Sequence, residues 1–394
     1  MVAPPRHPSQ AGLVPYESLI ADNAPLPDRS SEGNAMAAII YTGGTTGFPK
    51  GVMLSHDNLV LATVTFAMEC PYEQDTIFLH VAPMFHLAAL SSMFSYTSAG
   101  ATHVVAPSFD PAHLQHDRVG EGQHDADGED DDRLHRPLLQ AVPTDVSSLR
   151  KMIYGAAPIS EALLRRVMKS LPNVQLFQGY GQTEMSGGVV VLRPEFHAVE
   201  GPNARLLRAA GRASMAAEIR IVDDEMNEVP RGTVGEIVAR GATVMLGYWN
   251  KPEQTRSAIV DGWLRSGDAG YMDEEGFVFI VDRLKDMIVS GGENVFSAEV
   301  ENALARHPAV LECAVIGIPH AQWGESVHAE LRLRDGFEVD EEALGIHCAE
   351  LIAGYKRPRS FNFRTEPLPL SAAGKIIKNE LRKPYWDGQA RSIA

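Results

Sequence analysis

Short apolar runs alternate with helix-like stretches in the first part of the chain, after a start rich in Pro, Ser and Asp. The runs at 35–42, 76–83 and 101–107 have the length and the β-branched content of buried strands. Stretches near 55–68 and 86–97 have the composition of helices and lie between these strands. Such alternation is typical of a sheet covered by helices, so the pattern predicts an α/β fold.

The pattern changes in the second half of the chain. Between 218 and 283, short apolar runs separated by Asp-Gly and Glu-Gly turns predict β-hairpins. Further on, a compact α+β arrangement follows, with helices predicted at 297–306 and 340–353. We therefore predict two domains: a large layered α/β domain with a β-hairpin subdomain over 1–284, and a small, mobile α+β domain over 285–394.

One segment, 110–137, fits neither pattern. It has almost no apolar periodicity, and it holds four histidines and a dense acidic cluster from Glu121 to Asp132. A metal-binding tract would explain the residue types, but the spacing matches no ligand geometry and the acids are contiguous rather than on one face. The segment is therefore predicted to be irregular, and its composition is typical of a solvated, disordered insert.

Composition and charge narrow the classes of function. The net charge of −16 and the pI near 5.3 argue against a nucleic-acid binder, which needs a basic face for the phosphate backbone. Cys70, Cys313 and Cys348 are odd in number and widely spaced, which argues against a disulfide framework and against a zinc site. No apolar stretch approaches the length of a membrane span, so we expect a cytoplasmic protein.

The loop “YTGGTTGFPKGVMLSH”, Tyr41–His56, follows the first predicted strand and carries candidate chemistry. Its glycines let backbone N–H groups converge on an anion, its threonine hydroxyls add donors, and Lys50 adds a positive charge. Ser55 is a candidate N-cap for the helix that follows. The loop is not the P-loop of nucleoside triphosphatases, in which Gly-Lys-[Ser/Thr] opens the helix. A mobile surface loop is the alternative, but the lysine and the strand–loop–helix context favour a phosphate-binding loop.

Five motifs follow one another in a fixed order along the chain. They are “YTGGTTGFPKGV”, “YGAAPIS”, “QGYGQTE”, “GWLRSGDAGYMDEEGFVFIVDRLKDMIVSGGENVFSAEVE” and “PLSAAGKIIKNELR”. Together they resemble the adenylate-forming (AMP-binding) enzymes, and specifically the acyl-CoA synthetases, over 35–110 and 144–386. The resemblance implies an enzyme that uses ATP and Mg²⁺ to activate a carboxylic acid as an acyl-adenylate, from which the CoA thiol displaces AMP.

The resemblance assigns a set of residues to the phosphates of ATP. The loop from Thr42 to Lys50 would hold the β- and γ-phosphates, and Thr45 would be one of its catalytic residues. Glu184 would coordinate Mg²⁺ and take part in catalysis, because carboxylate and phosphate oxygens suit a hard cation. The other loop positions in this set are Gly43, Gly44, Thr46 and Gly47.

A second implied set faces the nucleoside. Tyr180 would stack on adenine, and Asp268 would accept hydrogen bonds from both ribose hydroxyls. Arg283 would face the ribose and the phosphates. The remaining positions implied for this pocket are Gly155, Ala156, Ala157, Gly181 and Thr183, of which the first three would form its floor by close backbone approach.

The resemblance extends to the small domain. Lys375 would reach into the site and bridge the carboxylate of the acid and the α-phosphate. Lys285 would be the hinge about which the small domain turns between the two half-reactions. Gly291 and Gly292 would line the tunnel for the pantetheine arm of CoA, and His86 would lie near the acyl-binding wall.

Two departures from the family pattern stand out. Family members have a substantial α/β region before the phosphate loop, whereas this chain begins just upstream of that loop, so we expect an N-terminally truncated large domain. The segment 111–137 replaces an ordered helix, strand and helix, and the family pattern resumes near Asp145. Coding sequence read out of frame or a genuine insertion would each explain this segment.

The predicted activity is that of an acid–thiol ligase, with a fatty acid as the expected substrate, ATP and CoA as co-substrates, and a homo-oligomer left open. A ligase for an aryl or other carboxylic acid is an alternative, because in family members the stretch that 111–137 replaces contributes to the acyl pocket. The alternative from another class is a truncated remnant that binds the nucleotide without turning it over.

Overall fold

The computed structural model describes residues 16–25, 30–42, 49–106, 124–129, 146–157, 159, 161–371 and 375–386. The helices in this part of the chain are α1 Tyr16–Asp22, α2 His56–Glu69, α3 Leu87–Ser98, α4 Glu161–Ser170, α5 Pro252–Ala258, α6 Ser297–Ala305, α7 Glu341–Ala349 and α8 Lys378–Arg382. None of these described helices has the length and apolar composition needed to cross a membrane.

The strands of the described residues are β1 Met36–Thr42, β2 Lys50–Ser55, β3 Ile77–His80, β4 Thr102–Val105, β5 His124–Glu129, β6 Leu149–Gly155, β7 Gln175–Gln182, β8 Gly187–Leu192, β9 Gly211–Ala213, β10 Glu218–Val222, β11 Gly235–Arg240, β12 Gly247–Tyr248, β13 Ile259–Val260, β14 Trp263–Met272, β15 Phe277–Arg283, β16 Ile288–Ser290, β17 Glu293–Val295, β18 Val310–His320, β19 Gly324–Leu333 and β20 Ser360–Arg364.

The large sheet has a parallel and an antiparallel half. Its described strands follow the order β10-β11-β14-β15-β9-β8-β7-β6-β5-β3-β4, and β13 pairs with β14. The strands from β4 to β7 pair in parallel, whereas those from β7 to β10 pair antiparallel. Parallel strands need crossover connections, which α3 provides between β3 and β4 and α4 between β6 and β7. The predicted α/β class is confirmed.

Helix α2 begins where the sequence predicts it. Ser55 Oγ accepts a hydrogen bond from Asn58 N at 3.0 Å, and Asn58 Oδ1 accepts one from Ser55 N at 2.9 Å. This reciprocal pair satisfies backbone donors that the helix itself leaves unpaired. Asn58 Nδ2 also donates to the carbonyl oxygens of Ala242 and Val244, at 2.6 and 3.0 Å. The start of α2 is therefore tied to the segment that precedes β12.

The prediction of a continuous loop over Tyr41–His56 is wrong in its second half. Residues 50–55 form strand β2, which pairs antiparallel with β1. Val52 and Leu54 point into the core and are fully buried, so this strand is stabilised by apolar packing on one face. Strand β12 pairs with the other edge of β2 and completes a three-stranded sheet, so β1 lies outside the large sheet.

Strand β5 lies inside the segment 110–137, which the sequence predicts to be irregular. Its backbone pairs in parallel with β3 on one side and with β6 on the other. Backbone hydrogen bonds to two neighbours explain how a polar sequence without apolar alternation occupies this position. The rest of the segment lies outside the described residues. The structure therefore does not test whether that part is disordered or read out of frame.

A separate sheet follows the hairpin β14–β15. Its strands run in the order β17-β16-β19-β18, and β20 pairs in parallel with β19. Helices α6 and α7 contribute Val300, Leu304 and Leu344 to the apolar core on one face of this small sheet. The 3₁₀ turn Leu284–Asp286 connects the two sheets, because β15 belongs to the large one and β16 to the small one.

The last described residues close over the small sheet. The indole Nε1 of Trp386 donates to the carbonyl oxygen of Gly317 at 2.9 Å. The hydroxyl of Tyr385 donates to Glu330 Oε1 at 3.0 Å. The segment 375–386, which includes α8, is therefore attached to the sheet beyond the end of its helix.

Gly155 and Gly179 are cross-strand partners in β6 and β7, but their surroundings differ. A Cβ on Gly155 would lie 2.2 Å from the carbonyl oxygen of Gly179, whereas a Cβ on Gly179 would meet nothing within 4 Å. We expect Gly155→Ala to lower the free energy of unfolding by about 2 kcal/mol, as overpacking does. Urea unfolding followed by circular dichroism measures this, with Gly179→Ala as the matched control. Equal midpoints for the two variants would contradict the geometry.

Candidate active site

Asp268 and Arg283 are cross-strand neighbours in the hairpin β14–β15. Arg283 Nε donates to Asp268 Oδ1 at 2.9 Å. Tyr180, on β7, donates its hydroxyl hydrogen to the other carboxylate oxygen, Oδ2, also at 2.9 Å. Asp268 is 4% exposed and Tyr180 is 8% exposed. The structure thus brings three of the predicted site residues together around one buried carboxylate.

The electrostatics of this carboxylate reflect its burial. Burial raises the pKa of Asp268, and the positive charges of Arg283, Lys285 and Lys375 oppose that rise. Burial also raises the pKa of Tyr180 well above its usual value, so the phenol keeps its proton and remains a hydrogen-bond donor. The ring of Tyr180 lies in the main apolar cluster of the large domain. Its stacking on adenine stays a prediction.

Glu184 lies in the 3₁₀ turn Thr183–Met185, directly after β7, and is 8% exposed. Its Oε1 accepts a hydrogen bond from the hydroxyl of Tyr248 at 2.9 Å. Its carbonyl oxygen accepts one from Met245 N, also at 2.9 Å. The Lys50 ammonium lies over the Tyr248 ring, 4.8 Å from its centroid. Two predicted site residues of opposite charge therefore contact the same tyrosine.

Thr42 and Lys50 frame the glycine-rich loop. They lie opposite each other in the β1–β2 hairpin, and Thr42 Oγ1 donates to the Lys50 carbonyl oxygen at 3.5 Å. The predicted loop residues between them, Gly43, Gly44, Thr45, Thr46 and Gly47, lie outside the described residues. The structure accordingly gives the two ends of the loop and sets its lysine beside Tyr248.

The ends of β6 and β7 bring backbone groups close together near the candidate site. Ala156, which follows Gly155, has a φ of 64°, an uncommon value for a residue with a side chain. Ala157 N donates to the Gly155 carbonyl oxygen at 2.8 Å, which closes a tight turn. A Cβ on Gly181 would lie 1.8 Å from the carbonyl oxygen of Gly187, so this approach requires a glycine.

Lys375 approaches the large domain from the small one. Its backbone N–H donates to Ser371 Oγ at 3.1 Å, and its carbonyl oxygen accepts from Ser371 N at 2.8 Å. Burial, and to a smaller extent the charge of Lys375, lower the pKa of His86 to about 4. The same charge opposes the rise in the pKa of Asp268. His86 caps helix α3, with Nδ1 accepting from Ala88 N at 3.3 Å. The predicted lysine therefore lies within electrostatic reach of two residues of the large domain.

The predicted hinge residue, Lys285, lies in the turn between the two sheets, where burial lowers its pKa to about 8. Just before this turn, Asp282 Oδ2 accepts hydrogen bonds from Ser297 Oγ at 2.7 Å and from Ala298 N at 3.3 Å. Asp282 therefore caps helix α6 of the small domain from the far side of the predicted hinge.

Helix α8 adds two cations to this region. Lys378 Nζ donates to Ser297 Oγ at 2.6 Å and pairs with Glu301 Oε1 at 2.7 Å, and Arg382 pairs with Asp286 at 2.8 Å. Burial lowers the pKa of Lys378, but the neighbouring carboxylates outweigh it and hold that pKa above its usual value. The charged residues of this group, which we call the hinge cluster, are Asp282, Asp286, Glu301, Lys378 and Arg382.

Gly291 and Gly292 form the two-residue turn of the β16–β17 hairpin, with φ values of 63° and 86°. Positive φ at both positions is typical of the hairpin turns that glycine favours. Gly291 N donates to the Trp323 carbonyl oxygen at 2.9 Å. This geometry accounts for both glycines by the turn alone, and their role in binding pantetheine stays a prediction.

The sequence did not single out Tyr248, Asp282 or Lys378. The first two occur in stretches that read as ordinary strand ends, so their residue types gave no signal. Lys378 follows Lys375 by three residues at the start of a helix, and a buried lysine there could have been suspected only from the acidic residues of α6.

Two family models match the chain. The model of the AMP-binding enzyme matches residues 6–249, and the model of the AMP-binding enzyme C-terminal domain matches residues 299–375. A feruloyl-CoA synthase from Amycolatopsis sp is 37% identical over 391 residues, which covers 94% of this chain and 74% of that protein. The long-chain-fatty-acid–CoA ligase FadD13 of Mycobacterium tuberculosis is 36% identical over 353 residues, which covers 88% of this chain and 67% of that one.

Solved structures share the fold. ATP-bound MatB from Rhodopseudomonas palustris superposes with a TM-score of 0.83 and 32% identity, over 92% of this chain and 71% of that chain. The o-succinylbenzoate coenzyme A synthetase MenE of Bacillus subtilis, in complex with ATP and magnesium ion, superposes with a TM-score of 0.81 and 31% identity. The match covers 92% of this chain and 74% of that chain. Because one family pattern spans more than half of the chain and the relatives align over most of it, this chain belongs to the AMP-binding enzyme family.

Proposed function

We propose that this protein is an AMP-forming acid–thiol ligase. It joins a carboxylic acid to CoA through an acyl-adenylate, and it releases pyrophosphate in the first step and AMP in the second. The observation that carries the proposal is the convergence of Asp268, Arg283 and Tyr180, together with the charge of Lys375, which acts on Asp268 from the small domain. A buried carboxylate paired with a half-exposed guanidinium, with a second cation nearby, suits the transfer of a nucleotidyl group to a carboxylate.

In this proposal the Asp268 carboxylate receives the ribose. Among the described residues, Arg283 donates to Oδ1 and Tyr180 donates to Oδ2, and a carboxylate oxygen can accept a further hydrogen bond. Burial raises the pKa of Asp268 and the positive charge of Arg283 opposes that rise, which favours the ionised carboxylate as an acceptor. The glycine-rich loop between Thr42 and Lys50 then receives the phosphates.

Glu184 fits a site for Mg²⁺. Its carboxylate is buried and accepts a hydrogen bond through Oε1 from the Tyr248 hydroxyl, while Lys50 lies over the face of the same ring. Mg²⁺ is commonly held by one or two carboxylates together with the phosphates of the nucleotide. When bound, this ion would neutralise charge on the phosphates of ATP.

Lys375 is the proposed catalytic cation. It would lie between the carboxylate of the acid and the α-phosphate, where negative charge accumulates as the acyl-adenylate forms. Its ammonium is a compact charge on a flexible stem, which suits a residue that enters and leaves the site with its domain. The turn at Lys285 would absorb that movement.

The acid itself is proposed as a fatty or an aryl carboxylate. Our sequence expectation is a fatty acid, and the similarity to FadD13 supports it, whereas the similarity to a feruloyl-CoA synthase supports an aryl acid to the same degree. In family members the stretch that corresponds to 111–137 contributes to the acyl pocket, and most of 111–137 lies outside the described residues. The substrate class therefore has to be measured.

The test is acid-dependent ATP–pyrophosphate exchange on the purified, monodisperse protein, with palmitate, ferulate and no acid in parallel. We expect exchange that depends on one of the two acids, followed by thioester formation when CoA is added. ATP binding without exchange for a wide panel of acids would favour the nucleotide-binding remnant instead. Absence of ATP binding would contradict both.

A further inference from the structure

Tyr248 connects two site residues of opposite charge, although no sequence motif assigns a role to it. Its hydroxyl donates to Glu184 Oε1 at 2.9 Å, and the face of its ring lies 4.8 Å from the Lys50 ammonium. An ammonium over an aromatic face is attracted by the ring quadrupole. One side chain therefore contacts both the carboxylate and the cation through different parts of its structure.

The backbone around Tyr248 makes the same connection. Met245 N donates to the Glu184 carbonyl oxygen at 2.9 Å, and Trp249 N donates to the carbonyl oxygen of Gly51, the residue after the loop lysine, at 2.7 Å. Tyr248 itself pairs with Val52 across the β12–β2 ladder. The distance between the Glu184 turn and strand β2 is thus set by hydrogen bonds on both sides of this short segment.

The chemistry of the phenol suits a fixed donor. The Tyr248 hydroxyl donates its hydrogen to Glu184 Oε1 at 2.9 Å, so the phenol acts as a donor toward the carboxylate. A donor on Oε1 holds the carboxylate in one orientation and leaves acceptor positions for a cation. Groups that orient a metal-binding side chain in this way affect metal affinity as strongly as some ligands do.

We propose that Tyr248 is a positioning residue that sets the Glu184 carboxylate for a divalent cation and seats the Lys50 ammonium of the phosphate loop. This inference rests on the proposed function, because it assumes that Glu184 and Lys50 act on the metal and the phosphates of ATP. It differs from a packing role in one measurable respect. A packing residue would change the stability of the fold, whereas a positioning residue changes how strongly Mg²⁺ and ATP assist each other's binding.

The two contacts can be separated by substitution. Tyr248→Phe removes the hydroxyl and its hydrogen bond to Glu184 but keeps the ring under Lys50. Tyr248→Leu removes both. Tyr271→Phe is the matched control, because this tyrosine stacks on Phe279 in the hairpin β14–β15, with ring centroids 4.7 Å apart.

The experiment is calorimetric titration of the full chain with ATP, once with EDTA and once with saturating Mg²⁺. For the wild type we expect Mg²⁺ to strengthen ATP binding. For Tyr248→Phe we expect that strengthening to fall about 10-fold, the size of effect seen when an orienting partner of a metal ligand is lost. Its affinity in EDTA should match the wild type, whereas Tyr248→Leu should also lose about 2- to 5-fold in EDTA, the fold-change of a lost cation–π contact.

Several outcomes would overturn the inference. A Tyr248→Phe protein with the wild-type response to Mg²⁺ would remove the role of the hydroxyl. Equal weakening in EDTA and in Mg²⁺, together with a lower unfolding midpoint, would show a packing residue. A wild type whose ATP affinity does not respond to Mg²⁺ would overturn it as well. A wild type that binds no ATP would instead contradict the proposed function, so the two failures are distinguishable.

Discussion

Replacement of Lys375 by alanine is expected to lower the rate of acyl-adenylate formation about 10²- to 10³-fold, the effect of losing one preorganised charge-stabilising group. The reason is the position of this lysine. Its charge acts on both Asp268 and His86 of the large domain. Among the described small-domain cations, Lys375 is the one that affects the pKa of both groups. Charge that develops between the acid and the α-phosphate would lose its counter-charge in the variant.

The measurement is single-turnover adenylate formation with the acid found by pyrophosphate exchange. Lys383→Ala is the control, because Lys383 is exposed at the end of α8 and should leave the rate unchanged. ATP affinity should change little in Lys375→Ala, since the loop and Asp268 are intact. An unchanged adenylation rate in this variant would remove Lys375 from the mechanism.

Replacement of Lys378 by methionine is expected to destabilise the small sheet and its helices by about 3 kcal/mol, since removing one partner of a buried ion pair leaves the other uncompensated. Methionine approximates the length of lysine but carries no charge. The variant would leave Glu301 without this ion pair and Ser297 Oγ without this donor. It would also remove a positive charge that offsets the repulsion between the carboxylates of Glu301, Asp282 and Asp286. The side chain of Lys378 is 14% exposed, so solvent would compensate little of this loss.

Hydrogen exchange at the amides of β18 and β19 reports this change directly, because the two domains need not unfold together. We expect faster exchange there in Lys378→Met and wild-type exchange in Lys383→Met. Protection equal to the wild type in both variants would show that the hinge cluster contributes nothing to stability. A change confined to the large sheet would contradict the assignment of Lys378 to the small domain.

The sequence predicted the hairpin β14–β15, but it did not predict why Asp268 faces Arg283. Counting back from the turn, Gly270 pairs with Ile280, and an unbroken register would place Asp268 opposite Asp282. A bulge between Ala269 and Gly270 shifts the register by one residue and brings Arg283 opposite instead. Since a slip of one residue turns a strand's side chains to the other face, this irregularity creates the ion pair.

Strand β2 shows a different limit of sequence analysis. Pro49, Lys50 and Gly51 have low strand propensity, so the sequence predicts that the glycine-rich loop continues to the helix. Pairing with β1 and β12 on both edges overrides that local preference. The contacts of Tyr248 depend on this strand, and for the same reason they could not have been predicted. The helices α2, α3 and α6 were predicted well, because apolar runs with clear starts are local signals.

The closure of the small sheet by Tyr385 and Trp386 has a consequence for the entropy of catalysis. The segment that carries Lys375 is held by the backbone pairing with Ser371 at one end and by these two aromatic residues at the other. Its conformational freedom is therefore lost once, when the chain folds, and not in every catalytic cycle. In the proposed mechanism, delivering Lys375 would then require only a rotation of the small domain, because the segment 375–386 is already attached to it.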